Sequence, residues 1–337
     1  MLVHLESRPM TRGSLWRLRH QRGLSLIELM VAILLSSLLL LGVLQMFSNS
    51  TASDRANTAL ARLQESGRIA LELIKQDLRR TGYQGCVSPF QQSRDNSTRT
   101  FPRDAIGEQG TTSREGAGTA SDQLEIFYAR PSPARATAIS TGAITFITNE
   151  NDLEGQNREL VLTNCTEVAM LRGNISARSA NPDTQTSGTL PHRYTITLAG
   201  GSPSTAGFPA GSSVLRIAQI NYRIQADASN NNRPTLFRGN DAMVPDVENL
   251  QVLYGVCQGG QTRWVDASEL TDTLRGQINQ LQLSLVISSP DNASSGTSNQ
   301  TFNIANLGNR GVLPAANDQR LRRSFNAVID LRNRQCQ

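Results

Sequence analysis

Residues Leu29–Leu44 contain no charged side chain, and Ser36 and Ser37 are their only polar side chains. These sixteen residues rise about 24 Å as a helix, and Leu24–Glu28 extend the rise to about 31 Å, the depth of a bilayer core. Such a run cannot sit in a small soluble domain without covering. Just before it lie Arg8, Arg12, Arg17, Arg19 and Arg22, with no basic residue on the far flank until Arg55. That asymmetry places the short leader in the cytoplasm and the body across the membrane. No small-x-small cleavage site follows the apolar run, so a secretory signal peptide explains it poorly. A plain signal anchor leaves Glu28 unexplained, because a lone carboxylate in hydrocarbon is costly and marks a functional position.

The charge balance follows the same division. The chain carries a formal net charge of +5. Residues 1–22 hold five arginines against Glu6, a net of 5 − 1 = +4, so the rest is left at about +1. The basic character belongs to the leader, and a nucleic-acid reading loses its main support. Of three histidines, His4 and His20 lie in the leader, which leaves His192 alone and excludes a multi-histidine metal site. No Gly-x-Ser-x-Gly occurs. Asn151–Gly155 and Ser289–Ser294 lack the alternating oxygen ligands of a calcium loop and read as solvated turns. The sequence therefore points to no enzyme and to no cofactor. Arg322, Arg323, Arg332 and Arg334 form a basic group that reads as a solvated edge set against Asp318 and Asp330.

Gly23-Leu24-Ser25-Leu26-Ile27-Glu28-Leu29-Met30-Val31, after a basic residue, resembles the N-terminal processing site of type IV prepilins and type II secretion pseudopilins. The resemblance implies cleavage by the prepilin peptidase between Gly23 and Leu24, methylation of the new Leu24 amine, and an assembly role for Glu28. Leu24 departs from the commoner phenylalanine. Cleavage creates a cation four residues from Glu28, and the amine of one subunit can neutralise the buried carboxylate of a neighbour.

Beyond Phe47 the chain turns polar while keeping a helical period. Leu60, Leu63, Gly67, Ala70, Leu71, Ile74 and Leu78 fall on one face, with Glu65, Arg68, Glu72, Lys75, Gln76, Asp77 and Arg79 as polar filling, and Gly82 and Gly85 end the pattern. A helix from Leu24 to about Arg80 is expected, although a break near Ser48–Asp54 is compatible with the same pattern. From Cys86 onward the period falls to two. Strands are expected at Tyr194–Leu198, Leu250–Val256, Leu281–Ile287 and Phe325–Leu331, each with one buried face, and also at Gln123–Ala129, Ala143–Thr148, Glu159–Thr163 and Ser213–Gln225. Residues 88–121, 174–190, 200–212 and 288–315 read as loops. Cys86, Cys165, Cys257 and Cys336 form no CxxC pair, so an exported head with two disulfides is expected. Three pairings are open. Cys86–Cys165 with Cys257–Cys336 is favoured because each then staples a neighbouring segment, the second tying the final strand beside Leu250–Val256.

The segments Val247–Val256, Gln280–Ile287 and Arg322–Asn333 look like the C-terminal half of the minor-pilin assembly proteins called PilW, which are related to the large J-type pseudopilins. Cys257 stands where that family commonly has aspartate. The resemblance implies an α+β protein in four parts: a cleaved cytoplasmic leader (residues 1–23), the membrane or filament-core half of a long N-terminal helix (24–47), its amphipathic half (48–82), and a β-rich, loop-rich periplasmic or extracellular head with disulfides (83–337). It further implies a structural minor pilin that primes pilus assembly, with other minor pilins, a large tip adhesin, the major pilin, the inner-membrane assembly platform and the lipid bilayer as partners. Alternatives are a type II secretion pseudopilin and an adhesive or DNA-binding tip module.

Overall fold

The computed structural model describes residues 25–87, 120–181, 190–200, 204–294, 296–302, 304 and 316–332. It divides into two units, residues 1–53 and 54–337. Helix α1 (Leu26–Leu78) runs unbroken for 53 residues, so the helical period continues through Ser48–Asp54. No proline interrupts it, and Gly42 and Gly67 are its only glycines. The chain turns out of the helix at Gly82, whose φ of 74° lies in the left-handed region that only glycine enters freely.

The head begins with β1 (Leu124–Arg130), β2 (Arg135–Ile139), β3 (Ala143–Thr148), β4 (Gly155–Thr163), β5 (Val168–Ile175), β6 (Ser179–Ala180) and β7 (His192–Leu198). It continues with β8 (Ser213–Asp227), β9 (Arg233–Arg238), β10 (Asp241–Pro245), β11 (Val247–Gln258), β12 (Gln261–Val265), the short α2 (Asp272–Arg275), β13 (Ile278–Asn292) and β14 (Arg320–Asp330). The expected strands are all present. Sequence reading missed β2, β5, β9, β10 and β12, and two expected loops hold structure: 174–190 contains the end of β5 and β6, and 288–315 contains the last residues of β13 and the buried Phe302 and Ile304.

The strands build two layers around separate cores. In the first, β8-β2-β3-β7-β5-β4 are hydrogen-bonded in that order, and a further β4–β8 ladder closes them into a ring. Each strand sends alternate residues inward, among them Ala136, Ile144, Phe146, Leu162, Leu171, Ile196 and Val214. Phe146 and Tyr194, opposite each other in the β3–β7 register, stack with ring centroids 5.9 Å apart. In the second, β12-β11-β13-β14 form an antiparallel sheet. Leu250, Val252, Tyr254, Leu281, Leu283 and Leu285 from this sheet share one core with Leu63, Ala70, Ile74 and Leu78 of α1. Strand β8 serves both, with Val214 in the ring core and Ile220 and Tyr222 in the helix-packed core.

Four expectations need correction. The buried helix face contains Ala59 where Leu60 was expected, because Leu60 is turned outward and 37% exposed. Strands β11 and β13 are buried on both faces, since the Ala120–Asp122 segment hydrogen-bonds across one and Phe302 and Ile304 cover Val286. Strand β14 lies beside β13, which separates it from β11. Asp77 and Arg322 are buried in ion pairs, not solvated filling or a solvated edge.

Candidate functional site

Within residues 25–53 the helix presents a mainly apolar surface along its first turns, with Glu28 its one charged side chain there. The Leu29 N–H donates to the Ser25 carbonyl at 3.1 Å, closing the first turn and setting Glu28 inside it. Large apolar side chains from Leu26 to Phe47 are between 50% and 76% exposed. The most apolar eighteen-residue window has a mean hydropathy of 2.6 and no buried residue. The Ser37 hydroxyl donates to the Leu34 carbonyl at 2.8 Å, so this polar group inside the apolar run, one of two, is satisfied by its own helix. Apolar surface of this extent is stable only against lipid or against other apolar helices. Among the described residues Glu28 has no ion-pair partner. Gly23 and Leu24, the expected cleavage pair, lie outside the described residues, as does Cys336.

Residues 54–78 of α1 do the opposite. A stripe of Ala59, Leu63, Gly67, Ala70, Ile74 and Leu78 is buried. Gly67 lies under the Phe325 ring of β14: a Cβ there would fall 2.4 Å from Cζ, so only glycine admits this approach. In the last turn Asp77 accepts a forked pair from Arg238, at 2.7 Å from Nε and 3.3 Å from Nη2, and accepts from the Tyr222 hydroxyl at 2.6 Å. Burial, reinforced by the adjacent carboxylate, pushes the Tyr222 phenol well above its ordinary value. The hydrogen bonds to Asp77 hold the Arg238 guanidinium above its own. This clamp joins the helix end to β8 and β9. Asp77 follows the helical period as a polar residue and carries no sequence signal of burial; its partners lie some 150 positions away.

A second polar cluster fastens β14. Arg322, with a side chain 5% exposed, donates to Glu248 at 2.7 and 3.0 Å and to Asp318 at 2.5 and 2.6 Å. Arg320 and Arg233 both meet Asp246, at 2.6 and 2.9 Å. Hydrogen bonds from Arg322 pull the Asp318 carboxyl down to about 2. The Cys86–Cys165 disulfide ties the segment after α1 to the β4–β5 turn. Cys257 is disulfide-bonded.

A long helix, exposed and apolar at its start and packed into a β-rich head at its end, defines a pilin-like, membrane-anchored protein. The comparisons sharpen that class. Residues 18–44 match the prokaryotic N-terminal methylation motif, and residues 209–333 match the type IV pilus-assembly protein W (PilW) family. The chain is a type IV pilus-related protein, consistent with the PilW family. Its last third, with β8–β14, carries that match, while the closed ring is mostly outside it. No curated protein matches significantly. A solved type IV-like pilin from Thermus thermophilus is 13% identical, with 81% of this chain and 97% of that one covered at a TM-score of 0.32.

Proposed function

We propose that this chain is a structural minor pilin that primes or initiates type IV pilus assembly, in a tip or initiation complex with other minor pilins. The observation that carries this reading is the uncovered apolar start of α1 with Glu28 in its first turn, directly after a prepilin-type cleavage sequence. In this reading the precursor waits in the inner membrane, leader in the cytoplasm and head in the periplasm. The prepilin peptidase removes residues 1–23 and methylates Leu24. Glu28 then loses water as helices bundle and is neutralised by the Leu24 amine of an adjacent subunit. The protein contributes no catalysis and binds no cofactor; the assembly platform supplies the work.

Two measurements test it. Mass spectrometry of the N-terminal peptide is expected to find N-methylated Leu24, and Gly23→Phe to leave the leader attached; a mature terminus beyond residue 40 overturns the assignment. Glu28→Gln is expected to be inserted and cleaved normally while recovery with the other minor pilins falls about tenfold or more, the scale of losing one charge pair in an apolar setting. Normal recovery with normal surface pili removes Glu28 from assembly.

A further inference from the structure

Four arginines from three distant stretches of the sequence meet at one end of the head. Arg79 and Arg80 follow the last turn of α1, Arg130 ends β1, and Arg332 lies two residues past β14. Together with Tyr83, Tyr128 and Pro131 they line an open cleft of about 590 Å³. The backbone explains the convergence. The Gly82 N–H donates to the Phe127 carbonyl at 3.0 Å and the Ala129 N–H donates to the Tyr83 carbonyl at 2.7 Å, so the chain leaving the helix runs beside β1. Tyr128 and Arg130, two residues apart on a strand, share the face turned to it. The Leu331 N–H donates to the Asn279 carbonyl at 2.9 Å and fixes the approach of Arg332.

No carboxylate among the described residues lines the cleft. Among the described residues Arg79, Arg130 and Arg332 form no ion pair. Arg80 only reaches Asp77 at 4.0 Å, and that carboxylate is already committed to Arg238 and Tyr222. All four guanidinium groups are exposed, whereas Tyr128 is 7% exposed and Tyr83 half-buried. The cleft thus has an aromatic floor and a cationic rim that, among the described residues, only Asp77 approaches, in contrast to Arg233, Arg238, Arg320 and Arg322, each of which meets an acid closely.

We propose that this cleft is a docking site for an acidic segment of another protein subunit, with aspartate or glutamate side chains held by the arginine forks over the tyrosines. Guanidinium forks match carboxylates two bonds at a time, and arginine and tyrosine are the side chains that most often anchor protein interfaces. A nucleic acid fits less well: its phosphates need a long basic track, and the chain beyond the leader has a net charge of only about +1. That the acidic segment comes from another pilus subunit rests on the minor-pilin reading; the carboxylate-binding chemistry does not.

The test uses the detergent-solubilised full chain and a fluorescent hexapeptide of alternating aspartate and glutamate, followed by anisotropy. Saturable binding is expected, weakened about tenfold in the Arg79→Gln/Arg332→Gln double variant and likewise in Arg130→Gln alone, as for loss of forked carboxylate contacts. Arg323→Gln, an exposed arginine on β14 away from the cleft, is expected to bind as the parent does. These arginines are exposed, so unchanged melting of the variants is the fold control, and Arg130→Gln decides the matter if the double variant melts early. Absence of saturable binding, equal weakening by Arg323→Gln, or no weakening by the cleft variants overturns the proposal. Tighter, cleft-dependent binding of a single-stranded oligonucleotide of equal charge overturns it in favour of a phosphodiester ligand. Peptide binding that survives in Glu28→Gln separates the cleft from the assembly reading, because a failed pilus role leaves this binding intact.

Discussion

The two parts of α1 obey one helical geometry and opposite rules of burial. From Leu26 to Phe47 the side chains are exposed and, apart from Glu28, Ser36, Ser37 and Gln45, apolar on every side. From Ala59 to Leu78 they are apolar on one stripe, and that stripe is buried against a sheet and locked at its end by Asp77. A helix that is apolar all round has no preferred direction and suits any apolar surroundings, lipid or a bundle of like helices. A striped helix has one fitting partner, and here Gly67 and Phe325 make that fit specific. Generic adhesion and specific packing are thus separated along a single element.

The contrast is open to direct attack. Ile74→Ala empties a fully buried position and is expected to destabilise the head by about 2–5 kcal/mol in urea melts, while Leu39→Ala leaves the same transition within about 0.5 kcal/mol. Equal effects would erase the distinction. Asp77→Ala strands Arg238 and Tyr222 without their acceptor and is expected to lose about 2–4 kcal/mol, with Asp77→Asn losing less because it still accepts from Tyr222. Melts indistinguishable from the parent would show that the clamp is ornamental. Gly67→Ala crowds the Phe325 ring and is expected to lose about 1–3 kcal/mol, with partial rescue by Phe325→Leu; a rescue that fails would locate the strain elsewhere.

The smallest effect concerns pH. Asp318 is held at about 2 against an ordinary 3.8, so its charged form favours the folded state. The stabilisation is present above the ordinary value and lost as pH falls from about 4 through about 2. Its side chain is 36% exposed, so solvent screening keeps the contribution under about 1 kcal/mol. Acid melts of the parent and of Arg322→Gln, compared after subtraction of their difference near neutral pH, are expected to converge over that window; parallel curves would mean Asp318 gains nothing from Arg322.

What was legible in the sequence is what depends on local pattern. The uncharged run, the Gly23–Glu28 array, the 3.6-residue stripe and the alternation of β7, β11, β13 and β14 need only a few neighbouring residues to be read, because hydrophobic period reflects one element facing one solvent. The PilW-like segments in the last ninety residues were readable for a similar reason: β11, β13 and β14 are consecutive partners in one sheet. Strands such as β2, with Arg135 and Thr137 among alanines, or β12, with Gln261, Thr262 and Arg263, carry little apolar signal and exist because a neighbouring strand supplies hydrogen bonds. Closure of the ring through β4 and β8 was invisible, since it depends on pairing between residues fifty or more positions apart. The same holds for charge. Asp77 and Arg322 read as solvent-facing because periodicity assigns a direction without knowing what stands there, and in each case the partner comes from a distant strand. Local chemistry determined that the chain anchors in a membrane and carries a pilin-type N-terminus; only the tertiary structure decided which charges are buried in pairs and which four arginines gather at one cleft, three of them without an ion pair among the described residues.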